Sequence, residues 1–197
     1  GPPPPPFRAG AWAGAGRLWD YGQSRPNVCD PLFSAWLKAG QLSDEVVWSR
    51  QLKAFDARQR SLLAYVARQA SPELVPWADK LQAVYLQPEK IRQQNLPVDS
   101  AYSADIASHG LALLARYSPA KALQYWQQYQ NELTFSAQQQ RQVENAIVLH
   151  GLFAKAEELS PWLPGALSRL QDDRLVEIRL RWALEDRKST RLNSSHD

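Results

Sequence analysis

From residue 29 to residue 186, apolar side chains recur every three or four positions almost without a break. That regularity leaves few folds open, because a period near 3.6 puts successive apolar residues on one helix face. Leu32, Phe33, Trp36 and Leu37 form the stripe of a first helix, expected to close at Gly40, a favoured residue just past a helix end. Ser43 is placed to cap a second helix, with Asp44 and Glu45 in the first turn where the backbone dipole favours acids. Val47, Leu52 and Phe55 are its expected buried side, and Leu62, Leu63, Val66 and Ala67 make a third helix. No segment shows the alternation of a half-buried strand.

Beyond residue 70 the punctuation becomes regular. Ser71-Pro72, Ser118-Pro119 and Ser160-Pro161 each set a capping serine before a proline at the first helical position. Helices are predicted over residues 74–85, 101–117, 119–133, 137–153, 161–170 and 174–185. They are short, and their connections are brief. The segment "SPAKALQYWQQYQNEL" collects Ala122, Tyr125, Trp126 and Tyr129 on one side, a small-plus-aromatic surface suited to stacked hairpins. The Ser-Pro starts are 47 and 42 residues apart, near the period of a two-helix repeat. The expected fold is therefore all-α: a superhelical solenoid of short antiparallel helix pairs rather than a closed bundle.

The two ends differ from the middle. Residues 1–16 are nearly all Gly, Pro and Ala and read as a low-complexity extension. Residues 187–197, "RKSTRLNSSHD", show no helical period and are similar to translated sequencing-adaptor sequence. Both are expected to be non-native and unpacked, leaving 17–186 as the helical superhelix domain. With no methionine anywhere, the chain reads as an internal or processed piece.

Setting the ends aside also changes the charge argument. The whole chain carries a formal charge of +3, but Arg8, Lys188 and Arg191, against Asp197 alone, lie in those ends. The middle is close to neutral and gives no case for nucleic acid, which requires clustered Lys and Arg. No stretch approaches the roughly 20 apolar residues that span a bilayer, and "GPPPPPFRAG" lacks the apolar region of a signal peptide.

A search for chemistry finds little. His109 shares a face with Ile106 and Leu113, and His150 with Val143 and Ile147. Neither has a second His, Cys or carboxylate three or four residues further along the chain, so both read as packed or partly exposed helix residues and not as metal ligands. His196 belongs to the tail. Asp44-Glu45, Glu157-Glu158 and Asp172-Asp173 are adjacent acids, but neighbours on a helix point about 100° apart and do not share a substrate proton. The chain has no phosphate loop, no G-x-S-x-G and no C-x-x-C. Trp36, Trp126, Trp162 and Trp182 fall on apolar stripes and are expected to pack rather than to stack ligands. No catalytic, cofactor-binding or metal-binding residue is assigned, and no cofactor is expected.

One stretch carries more information. "LWDYGQSRPNVCDPLFSAWLKAG" resembles the start of the helical domain of the soluble lytic murein transglycosylases. The matching positions are Leu18, Trp19, Gly22, Ser24, Pro26, Cys29, Asp30, Leu32, Phe33, Trp36 and Gly40. The resemblance implies a bacterial periplasmic protein whose helices curl into a superhelical ring. It also implies a separate lysozyme-like domain that cleaves the MurNAc–GlcNAc bond to a 1,6-anhydro sugar. There one glutamate acts as acid and then base, in an "E-S-x-F" context followed by "G-L-M-Q". Neither motif occurs in this chain, so the resemblance implies a non-catalytic, scaffolding or positioning portion whose parent binds peptidoglycan glycan strands.

A free-standing helical-repeat adaptor for a protein or peptide is the alternative, and neither reading determines the oligomeric state. Cys29, the single cysteine, has no neighbouring His or Lys to activate it. It reads as structural: a small residue beside a helix start, or a disulfide partner orphaned by truncation, since a periplasmic setting is oxidising.

Overall fold

A computed structural model describes residues 43–170 and 173–194, and every regular element among them is helical. Eight α-helices are defined there: α1 (Asp44–Asp56), α2 (Arg60–Ala67), α3 (Val75–Leu86), α4 (Ala101–Ala115), α5 (Pro119–Glu132), α6 (Ala137–Phe153), α7 (Leu163–Leu170) and α8 (Asp173–Ser194). Two 3-10 turns, Pro88–Gln93 and Glu157–Leu159, sit between them. The expected fold class, an all-α superhelical stack of short helix pairs, is the one found. The first expected helix, with Trp36 and Cys29, lies outside the described residues. The chain divides into two compact units, Gly1–Leu86 and Gln87–Asp197.

In the first unit, Ser43 caps α1 as its sequence position requires, its Oγ accepting from the Val46 amide at 3.3 Å. Asp44 and Glu45 occupy the first turn. The helix closes with Arg58 at φ 60°, while the Arg58 and Gln59 amides donate to the Phe55 and Ala54 carbonyls at 3.0 Å. This pair of bonds is a Schellman closure, with an arginine where glycine is the unstrained choice.

Val47 and Phe55 are buried as expected, but Leu52 is only half-buried. Trp48 and Gln51 fill the core in its place, so the buried arc of α1 is wider than an apolar stripe indicates. Phe55 meets Tyr85 of α3 edge to face, with centroids 5.4 Å apart. Ser71 Oγ accepts from the Leu74 amide at 3.3 Å and donates to Asp44 Oδ2 at 2.7 Å. The first Ser-Pro thus caps a turn, and α3 begins only at Val75.

In the second unit, Ser118 caps α5 with Pro119 at its first position. Ser160-Pro161 does otherwise: Ser160 closes the preceding 3-10 turn, and α7 starts at Leu163. A serine followed by proline does not by itself distinguish a helix start from a turn. The capping serine of α6 is Ser136, in a reciprocal box. Its Oγ accepts from the Gln139 amide at 3.1 Å while Gln139 Oε1 accepts from the Ser136 amide at 2.9 Å.

Trp126 is fully buried and packs on Phe135 with centroids 4.8 Å apart. Trp162 and Trp182 are half-buried, not core. The last helix also differs from expectation: α8 runs to Ser194, through most of the segment whose sequence showed no helical period. Residues 185–194 contain no Gly or Pro, so nothing in that segment breaks the helix that begins at Asp173. Leu184 and Leu192 on it are 57% and 64% exposed.

Candidate functional site

Two short ladders of polar side chains organise the second unit. The first joins the 3-10 turn Pro88–Gln93 to α5. Arg92 grips Glu132 with both terminal nitrogens, at 2.8 and 2.7 Å, and lies 4.4 Å over the Tyr129 ring. Tyr129 Oη donates to the Ile91 carbonyl at 3.3 Å. The fork geometry explains the electrostatics: the Arg92 hydrogen bonds lower the Glu132 pKa, and burial raises that of Tyr129. This cluster is a clamp between two elements, with every charged group already engaged.

The second ladder joins α4 to α6. Gln139 Nε2 donates to Asp105 Oδ1 at 2.8 Å, and Gln142 Nε2 lies 3.1 Å from His109 Nδ1. Both rungs advance in the same chain direction, so α4 and α6 run parallel, with α5 returning between them. Gln139 therefore caps its own helix and ties it to the next at the same time. At the C-terminal ends of these helices His150 has its pKa lowered, first by burial and then by the positive charge of Arg116. Behind α6, the buried Glu144 takes Arg169 of α7, with Nε 3.2 Å from each carboxylate oxygen. Arg169 in turn lies 5.9 Å from the Trp162 ring centroid.

Among the described acids singled out in the sequence, Asp44 takes the Ser71 hydroxyl at 2.7 Å. Glu157 and Glu158 are exposed on a 3-10 turn, and Asp173 is the first residue of α8. Asp172 and Cys29 lie outside the described residues. His109 and His150 are both half-buried on helices, as expected of packed residues. Among the described residues no three His, Cys, Asp or Glu side chains converge in a way that could hold a metal ion. No described helix is long and apolar enough to cross a membrane.

The sequence reading missed Glu144 and the Arg92–Glu132 clamp. Glu144 sits within the apolar run Val143, Ile147, Val148, which is the signal that it is buried and needs a cation. Arg92 and Glu132 are 40 residues apart and offered no local signal. The Ser136–Gln139 box was legible as S-x-x-Q.

The depressed pKa of His150 has a consequence for stability. A proton prefers the unfolded chain, where the imidazole keeps its ordinary value near 6.5. Stability is therefore complete above about pH 6.5 and falls as pH drops from there through the lower folded value. Replacing His150 with Gln should flatten the acid limb of a urea-unfolding series between about pH 7 and 5. An NMR titration that placed His150 above 6.5 would show the opposite sign.

Comparison with known proteins adds the context that geometry lacks. No protein-family profile matches the chain. The soluble lytic murein transglycosylase of Escherichia coli strain K12 is 25% identical over 177 residues, 88% of this chain and 27% of that protein. The soluble lytic murein transglycosylase of Salmonella typhimurium is 26% identical over the same shares. Among solved structures, an inactive mutant of the lytic transglycosylase Slt from Pseudomonas aeruginosa aligns over 90% of this chain and 29% of its own. It does so at 31% identity with a TM-score of 0.75. A 70-kDa soluble lytic transglycosylase in complex with bulgecin A aligns at a TM-score of 0.76 and 23% identity, over 91% of this chain and 29% of its own. The chain thus spans less than a third of the length of the relatives it matches. Over about nine-tenths of its own length, it is similar in sequence and in fold to a part of the soluble lytic murein transglycosylases.

Proposed function

We propose that this chain is a helical, non-catalytic module of a peptidoglycan lytic transglycosylase, working in the periplasm to hold or position glycan strands for a separate catalytic domain. The single observation that carries this is the match in sequence and fold over nine-tenths of the chain to proteins of that activity. The chemistry of the described acids agrees with it. Protonating a glycosidic oxygen near neutral pH calls for a carboxyl kept neutral in a desolvating pocket. Glu132 and Glu144 are instead paired with arginines, and Glu157 and Glu158 stand in water.

Purified chain incubated with murein sacculi should release no 1,6-anhydro-muropeptides, and Glu157→Gln or Glu158→Gln should leave that result unchanged. Turnover by the chain that vanished with either substitution would overturn the reading. The parent reading frame offers a second test, since it should encode an "E-S-x-F" segment followed by "G-L-M-Q".

A further inference from the structure

The two sides of α8 differ in character. One side packs: Ile178 and Trp182 are half-buried, and the Trp182 indole Nε1 is shut off from solvent. Lys155, just past α6, reaches Glu185 and Asp186 on that side at 3.8 and 3.7 Å. At 3.6 residues per turn the opposite side falls at Leu180 and Leu184. These two leucines, one turn apart, are 60% and 57% exposed. At this spacing they form one apolar spot and not two scattered residues.

The same stripe continues in both directions with the alternating spacing of a coiled-coil seam: Asp173, Glu177, Leu180, Leu184, Arg187 and Arg191. Its order is two acids, two leucines, two bases. Reversed end for end, that order is its own complement. A second α8 laid antiparallel about position 182 sets Leu180 against Leu184 of the second copy. It also sets Glu177 against Arg187, and Asp173 against Arg191, each layer occurring twice by the two-fold symmetry. Parallel pairing would instead set Glu177 on Glu177 and Arg187 on Arg187. A shift by one heptad would set each leucine against a charge. The pattern therefore selects one orientation and one register. We propose that two copies of this chain associate by antiparallel pairing of their α8 helices along the Leu180–Leu184 stripe. The occupant is a second copy because the stripe complements itself. Four leucines fill the centre, and the flanking ion pairs fix orientation more than strength. Such a small surface gives a weak dimer, with a Kd of about 0.1 mM at low salt, and added salt weakens it further.

The test is sedimentation equilibrium of the purified chain at low salt, which should show a reversible dimer forming between about 10 μM and 1 mM. Arg187→Glu, at an exposed position, sets like charges in two layers and should weaken dimerisation by about tenfold. Glu177→Arg should do the same. An equimolar mixture of these two variants should recover the dimer, because each supplies the charge that the other lacks. A variant that had merely misfolded would not be rescued in this way, so the mixture separates lost pairing from lost structure. The chain carrying both Glu177→Arg and Arg187→Glu should dimerise as the parent does. A chain still monomeric at about 1 mM, or a dimer indifferent to either single reversal, would overturn the proposal. So would single variants that stay monomeric when mixed, or association that continues past the dimer, since a two-fold pairing closes on itself.

Discussion

Trp126→Ala should cost about 3 kcal/mol of unfolding free energy, the low end of the 3–5 kcal/mol range for large buried aromatics. Trp126 has no exposed surface and rests on Phe135 across the α5–α6 turn. Truncation therefore opens a cavity between elements that hold one another in register. The estimate sits low for a specific reason: the indole Nε1 is buried without a hydrogen-bond partner, and removing it relieves a penalty of about 1–3 kcal/mol. Trp126→Phe separates the two contributions. It keeps a ring in the pocket and deletes the orphaned donor, so its net effect should fall within about 1 kcal/mol of zero. Urea unfolding of both variants measures this. A loss under about 1 kcal/mol for the alanine variant would mean that Trp126 is not an anchor.

Gly151→Leu should destabilise the chain by about 3 kcal/mol, at the upper end for forced overpacking. Gly151 lies in the last turn of α6, where the helix passes against the 3-10 turn Glu157–Leu159. A Cβ placed there would run into the Leu159 side chain and come within 3.7 Å of Pro119 Cβ. Leu159 is itself fully buried, so its side chain can give way only by displacing packed neighbours. Gly151→Ala serves as the graded control. It gains about 1 kcal/mol of helix propensity while meeting the same leucine, so its net loss should be smaller, below about 2 kcal/mol. Leu159→Ala in the Gly151→Leu background should recover part of the loss, because it makes room for the new side chain. If Gly151→Leu were as stable as the parent in thermal unfolding, the close passage of helix and turn would be wrong.

These two sites show where the sequence was readable. Trp126 was legible as an anchor because Ala122, Tyr125 and Tyr129 share its helical face, and periodicity reports the apolar side of a helix directly. Gly151 was not. It stands inside a run that reads as ordinary helix, and only the approach of Leu159, eight residues later, gives the missing Cβ a purpose. The polar groups divide in the same way. Ser43, Ser118 and Ser136 cap helices that begin within three residues of them, so local order along the chain reveals them. Arg92–Glu132, Asp105–Gln139 and Glu144–Arg169 join residues 25 to 40 positions apart, and no local pattern names such partners.

The α8 helix marks the same boundary from the other side. Its extension through residues 187–194 meets no Gly or Pro that would stop it, while the exposure of Leu184 and Leu192 depends on which surfaces the rest of the chain offers. Helical structure and the approximate apolar side of a helix are short-range properties, set by backbone hydrogen bonding and the 3.6-residue turn. Periodicity along the chain was enough to read them. Which polar groups meet, which glycine is needed for close approach, and which aromatic rings stay in solvent are long-range properties. They arise when parallel helices such as α4 and α6 settle into one register, because packing free energy depends on pairs of surfaces that no single stretch of sequence contains.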